Sequence, residues 1–106
     1  MSRLEILHQW YQDDPHDPFN GYALAMEYLA KEPSKAKFYF DQLLDQYPQY
    51  LPTYYHAASL YVEIEDFGKA IQIYEKGLEL ALNQGNIKTY QELRRAYKQL
   101  QDELDE

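Results

Sequence analysis

The chain has 106 residues, which is enough for one domain that buries roughly two-thirds of its unfolded surface. It contains no cysteine, which excludes disulfides, a thiolate metal site and a cysteine nucleophile. A formal net charge of −8 argues against binding of nucleic acid or anionic lipid, because both need a positive field.

The N-terminal sequence lacks the apolar core of a signal peptide, and no apolar run approaches the length of a membrane span. We therefore expect a cytoplasmic protein without a membrane partner. Tyrosine is in excess, with twelve residues, while stretches rich in β-branched residues are absent. This composition favours an array of helices over a sheet.

Residues 2–14 are predicted to form a helix that ends at Pro15, because the residue before proline disfavours the helical conformation. One face of this helix is apolar and carries Leu4, Leu7, Trp10 and Tyr11. If the face is larger than the following helices can cover, a twofold dimer would bury the remainder. The alternative is that Trp10 packs under Tyr22 and Phe40 as a cap.

Two helix pairs follow, at residues 17–50 and 51–84. Asp17 caps the first helix with a proline directly after it, and Asp66 caps the second helix of the second pair. Most of the characteristic large and small residues recur between the two pairs at a period of 33 to 34 residues, with Leu82 in place of the second proline. In the first pair they are Gly21, Leu24, Ala25, Tyr28, Ala36, Phe40 and Pro48. In the second pair they are Tyr54, Ala57, Ala58, Tyr61, Ala70, Tyr74 and Gly77.

This spacing resembles the tetratricopeptide repeat (TPR). The resemblance implies an all-α fold, a right-handed α-α superhelix of about six antiparallel helices. In that interpretation residues 1–106 are a single domain, with a half-repeat at 2–14, repeats at 17–50 and 51–84, and a capping helix at 86–104. Each helix pair must stack on a neighbour to bury its second face.

Two glycines need an explanation. Gly77 inside a helix costs roughly 1 kcal/mol relative to alanine, so we expect close helix packing there. Gly21 stands where the repeat has an aromatic residue, and we expect Phe19 or Tyr22 to fill the gap.

Residues 86–104 are predicted to form a terminal helix that Asn86 caps. Its apolar stripe contains Ile87, Tyr90, Leu93, Tyr97, Leu100 and Leu104. Basic residues crowd on its other faces, at Lys88, Arg94, Arg95 and Lys98. We interpret them as a solvated face of a capping helix, with nucleic-acid binding as a weaker hypothesis.

No arrangement of residues predicts catalysis, a cofactor or a metal site. The cluster Asp13, Asp14, His16 and Asp17 is interpreted as an inter-helix turn, because prolines punctuate it. The histidines are scattered without a nucleophile and a base in a recognisable pattern, and no glycine-rich phosphate loop is present. We therefore expect a protein that is not an enzyme.

The resemblance implies a protein–protein interaction module that holds a peptide or helix of a partner in a concave groove. By position, the groove residues are Tyr22, Met26, Leu29, Tyr55, His56, Ser59, Val62 and Glu63. These faces lack lysine and arginine, which argues against a clamp for a terminal carboxylate and favours a neutral, aromatic or weakly basic peptide. We expect a monomer, with a homodimer as the alternative. In a chain this short, the terminal helix is also able to fold across the groove and make the tyrosines core.

Overall fold

The computed structural model describes all residues, Met1–Glu106, and contains six α-helices and no β-strand. The helices are α1 (Arg3–Asp13), α2 (Pro18–Tyr28), α3 (Pro33–Gln46), α4 (Thr53–Glu63), α5 (Phe67–Asn83) and α6 (Ile87–Leu104). The predicted all-α fold is confirmed, and every helix falls inside its predicted segment. None of the six combines the length and apolar character that crossing a membrane requires. The chain divides into two compact units, Met1–Thr53 and Tyr54–Glu106.

The helix starts follow from local side-chain chemistry. The carboxylate of Asp17 accepts from the backbone N–H of Phe19 at 3.0 Å, and that of Asp66 accepts from Lys69 at 3.2 Å. The side chain of Asn86 accepts from the N–H of Thr89 at 3.0 Å. Each cap satisfies a donor that the first helical turn leaves without a partner. The three predicted caps are therefore confirmed.

In the first unit, polar contacts hold α1 to α2 and α3. His8 Nε2 lies 2.7 Å from the Tyr28 hydroxyl, and the Tyr11 hydroxyl donates to Gln42 Oε1 at 3.1 Å. The buried amide of Asn20 donates to two backbone carbonyls at the end of α1. Leu7 is the buried apolar residue of α1. These contacts make the leading helix part of the first unit.

Two neighbouring helices border the space beside Gly21. A Cβ added to Gly21 would lie nearest to Leu43 of α3 and Tyr11 of α1, with both side chains at 3.6 Å. Phe19 is instead 49% exposed, and Tyr22 packs edge-on against Tyr50. Leu43 and Tyr11 of the neighbouring helices therefore occupy space beside Gly21, whereas Phe19 remains half exposed.

In the second unit, Gly77 lies where α5 crosses α4. A Cβ at Gly77 would meet the Tyr54 Cβ at 2.9 Å and the Leu93 side chain at 3.1 Å. Separations this short exclude any larger residue unless a neighbour moves. The predicted close helix packing is confirmed. Three residues earlier in α5, Tyr74 stacks on Tyr97 of α6, with ring centroids 5.8 Å apart.

The apolar face predicted for α1 is only partly buried. Leu7 is buried, and Leu4 and Tyr11 are partly buried, whereas Trp10 is 48% exposed. About half of the Trp10 side chain therefore remains accessible on α1.

Candidate interaction surface

The second unit has a depression between α4 and α6, with a volume of about 190 Å³. Three residues on one face of α4 line it, namely Tyr55, Ser59 and Val62. They lie four and then three positions apart, the spacing that places side chains on one side of a helix. We call this feature the α4–α6 depression.

The α4–α6 depression has an apolar floor and a polar rim. Tyr74 of α5 and Leu100 of α6 line it and are each 3% exposed. Ser59, Gln99 and Glu103 line it as well and are exposed. The Gln99 amide donates to Glu103 Oε1 at 3.4 Å. The depression thus exposes more polar than apolar surface, with the buried Tyr74 and Leu100 side chains beneath it.

A second depression of about 150 Å³ adjoins the first along the same seam. It shares the Tyr55, Ala96 and Gln99 side chains and adds Glu92 and Arg95. The Tyr55 ring, which is 39% exposed, thus borders both. In the second unit, α6 therefore flanks Tyr55 and leaves it accessible.

Two exposed carboxylates, Glu63 and Glu103, lie in the last turns of α4 and α6. Neither helix has a basic residue in its last turn. Helix C-termini carry partial negative charge, which adds to that of the carboxylates. The electrostatic potential at these two helix ends is therefore negative.

His56 lies beside Tyr55, with ring centroids 5.2 Å apart in an edge-to-face arrangement. Burial lowers the pKa of His56 from its ordinary value, because a low-dielectric environment disfavours the charged imidazolium. Burial likewise raises the pKa of the Tyr74 phenol. Both groups are neutral near pH 7, so the charge at this surface comes from the glutamates and Arg95.

In the first unit, the predicted groove residues Tyr22, Met26 and Leu29 are partly buried along α2. The Tyr22 ring lies 6.0 Å from that of Tyr50, and burial raises the pKa of its hydroxyl. Within α2, these three residues share one face, at positions i, i+4 and i+7.

Sequence reasoning missed the contribution of α6. Ala96, Gln99 and Glu103 line the α4–α6 depression, although none was predicted as a site residue. They follow one another at helical spacing beside the buried Leu93 and Leu100. In the sequence, these three residues can be recognised as a second stripe along α6, next to the apolar stripe that contains Leu93 and Leu100.

Other candidate groups lie at the surface. The four basic residues Lys88, Arg94, Arg95 and Lys98 are exposed, and Lys98 pairs with Asp102 at 3.6 Å. No group of three or more His, Cys, Asp or Glu side chains is arranged to hold a metal ion. On α1, the exposed side chains of Ile6 and Trp10 lie one turn apart.

Comparison with known proteins adds independent information. A model of the tetratricopeptide repeat family matches residues 51–84. A tetratricopeptide repeat domain protein from Salinibacter ruber, solved by solution NMR, is 39% identical with a TM-score of 0.76, over 82% of this chain and 89% of that one. A crystal structure of a tetratricopeptide repeat domain protein from the same organism is 36% identical with a TM-score of 0.78, over 82% and 98% of the two chains. No curated protein matches the chain.

Proposed function

This chain belongs to the tetratricopeptide repeat family, and from that premise we propose that it is a non-catalytic module that binds another protein. The bound element is a peptide or helix of the partner. The proposed contact residues of the first unit are Tyr22 and Met26 of α2 and Leu29 directly after it. Those of the second unit are Tyr55, His56, Ser59, Val62 and Glu63 of α4.

The observation that carries this proposal is the α4–α6 depression beside an exposed Tyr55. A tyrosine ring offers a large contact area and a hydroxyl, and loses little conformational entropy when it is ordered. Val62 and Leu100 next to it supply apolar surface, and Ser59 and Gln99 supply hydrogen-bonding groups. This combination is typical of protein interfaces with an aromatic anchor.

The test is selection of a random peptide library on the full chain, followed by calorimetric titration of the selected peptides. We expect Tyr55→Ala to weaken binding by at least about tenfold, as truncation of an interface anchor does. Phe19→Ala is the matched control, because this aromatic is also half exposed but was not predicted as a contact residue. Equal affinity of the Tyr55→Ala variant and the wild type would move the site elsewhere. A library that yields no binding peptide contradicts the proposed function.

A second candidate function is self-association through α1. Ile6 and Trp10 are exposed one turn apart on this helix, and tryptophan is among the residue types enriched at interface anchors. Analytical ultracentrifugation from micromolar to millimolar concentration is the measurement. We expect a dimer that Trp10→Ala abolishes and that Phe38→Ala, which removes another exposed aromatic, leaves intact. A wild-type chain that stays monomeric throughout would exclude this candidate.

A further inference from the structure

We propose that the α4–α6 depression binds one basic side chain, an arginine or a lysine, from an extended segment of the partner protein. The inference rests on the proposed function, and it names the chemical group that this part of the surface selects.

The size of the depression favours a single side chain. Sites for small-molecule ligands usually enclose about 300–1,000 Å³. The α4–α6 depression has only about 190 Å³ and is open on one side. It therefore has room for one long side chain that enters from a backbone lying along the surface.

The lining matches the two chemical parts of such a side chain. Val62, Tyr74 and Leu100 provide an apolar wall and floor. Arginine and lysine place their methylene stems along surfaces of this kind and keep the charged head in water. The exposed ring of Tyr55 adds an aromatic face over which a cation is attracted.

The charge at the rim selects a cation over an anion. Glu103 lines the depression, and its carboxylate forms no ion pair within the chain; its contact is the Gln99 amide. The nearest lysine along α6, Lys98, pairs with Asp102 instead. The C-terminal end of α6 adds negative potential at this position. A guanidinium or ammonium group would thus gain a carboxylate partner, whereas a carboxylate or phosphate would be repelled.

Arg95 does not reverse this preference. It lines the adjoining depression rather than the α4–α6 depression, and Glu92 of opposite charge lines the same one. A depression of the first unit with about 340 Å³ has a lining of proline, glutamine and tyrosine without a charged residue. It offers no comparable preference for a cation.

The probe for the test is the tripeptide acetyl-Ala-Arg-Ala-amide, titrated into the isotope-labelled full chain and followed by NMR. Its control is the citrulline peptide, which has nearly the same shape and no charge. We expect saturable shifts at Tyr55, Ser59, Val62, Gln99 and Glu103. Binding of the citrulline peptide should be weaker by about 1.4-fold to about fivefold, the range for an exposed ion pair. Added salt should reduce the difference.

The Glu103→Gln variant should bind the arginine peptide only as tightly as the wild type binds the citrulline peptide. Glu79→Gln, which removes an exposed carboxylate from α5, should leave the affinity unchanged. Equal responses to the two peptides, or shifts confined to other residues, overturn the inference. The library selection separates this result from the proposed function. Selected peptides that need Tyr55 but contain no basic residue overturn the inference alone.

Discussion

In each helix pair, a large residue on one helix packs against a small residue on the other. The two pairs differ in which helix carries the large residue and which carries the small one. In the first unit, the small residue is Gly21 on α2, and Leu43 of α3 packs over it. In the second unit, the large residue is Tyr54 on α4, and the small one is Gly77 on α5. Gly21 and Tyr54 are equivalent positions 33 residues apart, and Leu43 and Gly77 are equivalent positions 34 residues apart. The fold thus requires one large and one small residue at this crossing, and it does not fix which helix carries which.

A neighbouring position shows a second difference between the two helix pairs. Asn20 and Thr53 are equivalent, and both are buried polar residues. The Asn20 amide donates to the carbonyls of Trp10 and Asp14 at 3.1 and 3.0 Å. The Thr53 hydroxyl, in contrast, has no hydrogen-bond partner. A buried polar group is stabilising only where it has a hydrogen-bond partner, and for Asn20 the end of α1 supplies that partner.

The largest effect is expected from Gly77→Ala, which tests the tighter of the two crossings. The new Cβ would lie 2.9 Å from the Tyr54 Cβ, an atom close to the backbone that cannot move alone. We expect the free energy of unfolding to fall by about 2 kcal/mol, despite the better helix propensity of alanine. Urea denaturation is the measurement. Gly68→Ala on the same helix is the control, because its Cβ would meet nothing within 4 Å. Equal stability of the two variants would contradict the close crossing.

Asn20→Ala removes both hydrogen bonds to the end of α1. We expect a loss of about 1.5 kcal/mol, since each such bond contributes roughly 0.5–1.5 kcal/mol. Asn20→Asp should be at least as destabilising, because a carboxylate cannot donate to the two carbonyls that the amide contacts. If Asn20→Asp is as stable as the wild type in urea denaturation, the two contacts do not hold α1.

Thr53→Val, at the position equivalent to Asn20, is expected to increase stability rather than decrease it. It keeps the β-branched shape and removes a buried hydroxyl that has no partner. We expect a gain of about 1 kcal/mol in the free energy of unfolding. Thermal and urea denaturation both measure it. A loss of stability would show that the hydroxyl has a partner, and the contrast with Asn20 would disappear.

Gly21→Ala should be slightly stabilising, by about 0.5 kcal/mol, because helix propensity improves. Its Cβ would sit 3.6 Å from Leu43 and from Tyr11, an ordinary van der Waals distance. The opposite signs of Gly21→Ala and Gly77→Ala would be the sharpest evidence that the two crossings differ. A loss at Gly21 comparable to the loss at Gly77 would make the crossings equally tight.

The smallest effect concerns pH and His56. Burial lowers its pKa in the folded chain, so below about pH 6.5 the unfolded state binds the proton more readily. The contribution of His56 to stability is therefore complete above that pH and is lost as the pH falls through the folded pKa. We expect the wild type to lose more stability than His56→Gln between about pH 7 and about pH 5. Parallel pH profiles of the two proteins in urea denaturation would contradict this assignment.

Site residues that lie on one helix were easier to predict than those contributed by a helix distant in the sequence. Tyr55, Ser59 and Val62 were predicted as site residues, because the resemblance to the tetratricopeptide repeat implies a groove at their positions. The lining from α6 was missed, since no local rule states which stripe of a terminal helix faces an earlier helix. Aligning the two helix pairs shows that Gly77 stands where the first pair has Leu43. The sequence does not show, however, which residues of the partner helix lie against these two positions. Tyr11 over Gly21 had no sequence signal at all.

The sequence by itself determined the six helices, their caps at Asp17, Asp66 and Asn86, and the repeat family. These features depend on neighbours within four residues or on a period that repeats along the chain. Only the tertiary structure decided that Asn20 bonds the end of α1, that Trp10 stays exposed, and that α6 leaves Tyr55 open beside a depression. These features depend on how side chains of different helices pack against one another. The physical reason is that close packing between helices involves residues far apart in the sequence, which local patterns do not specify.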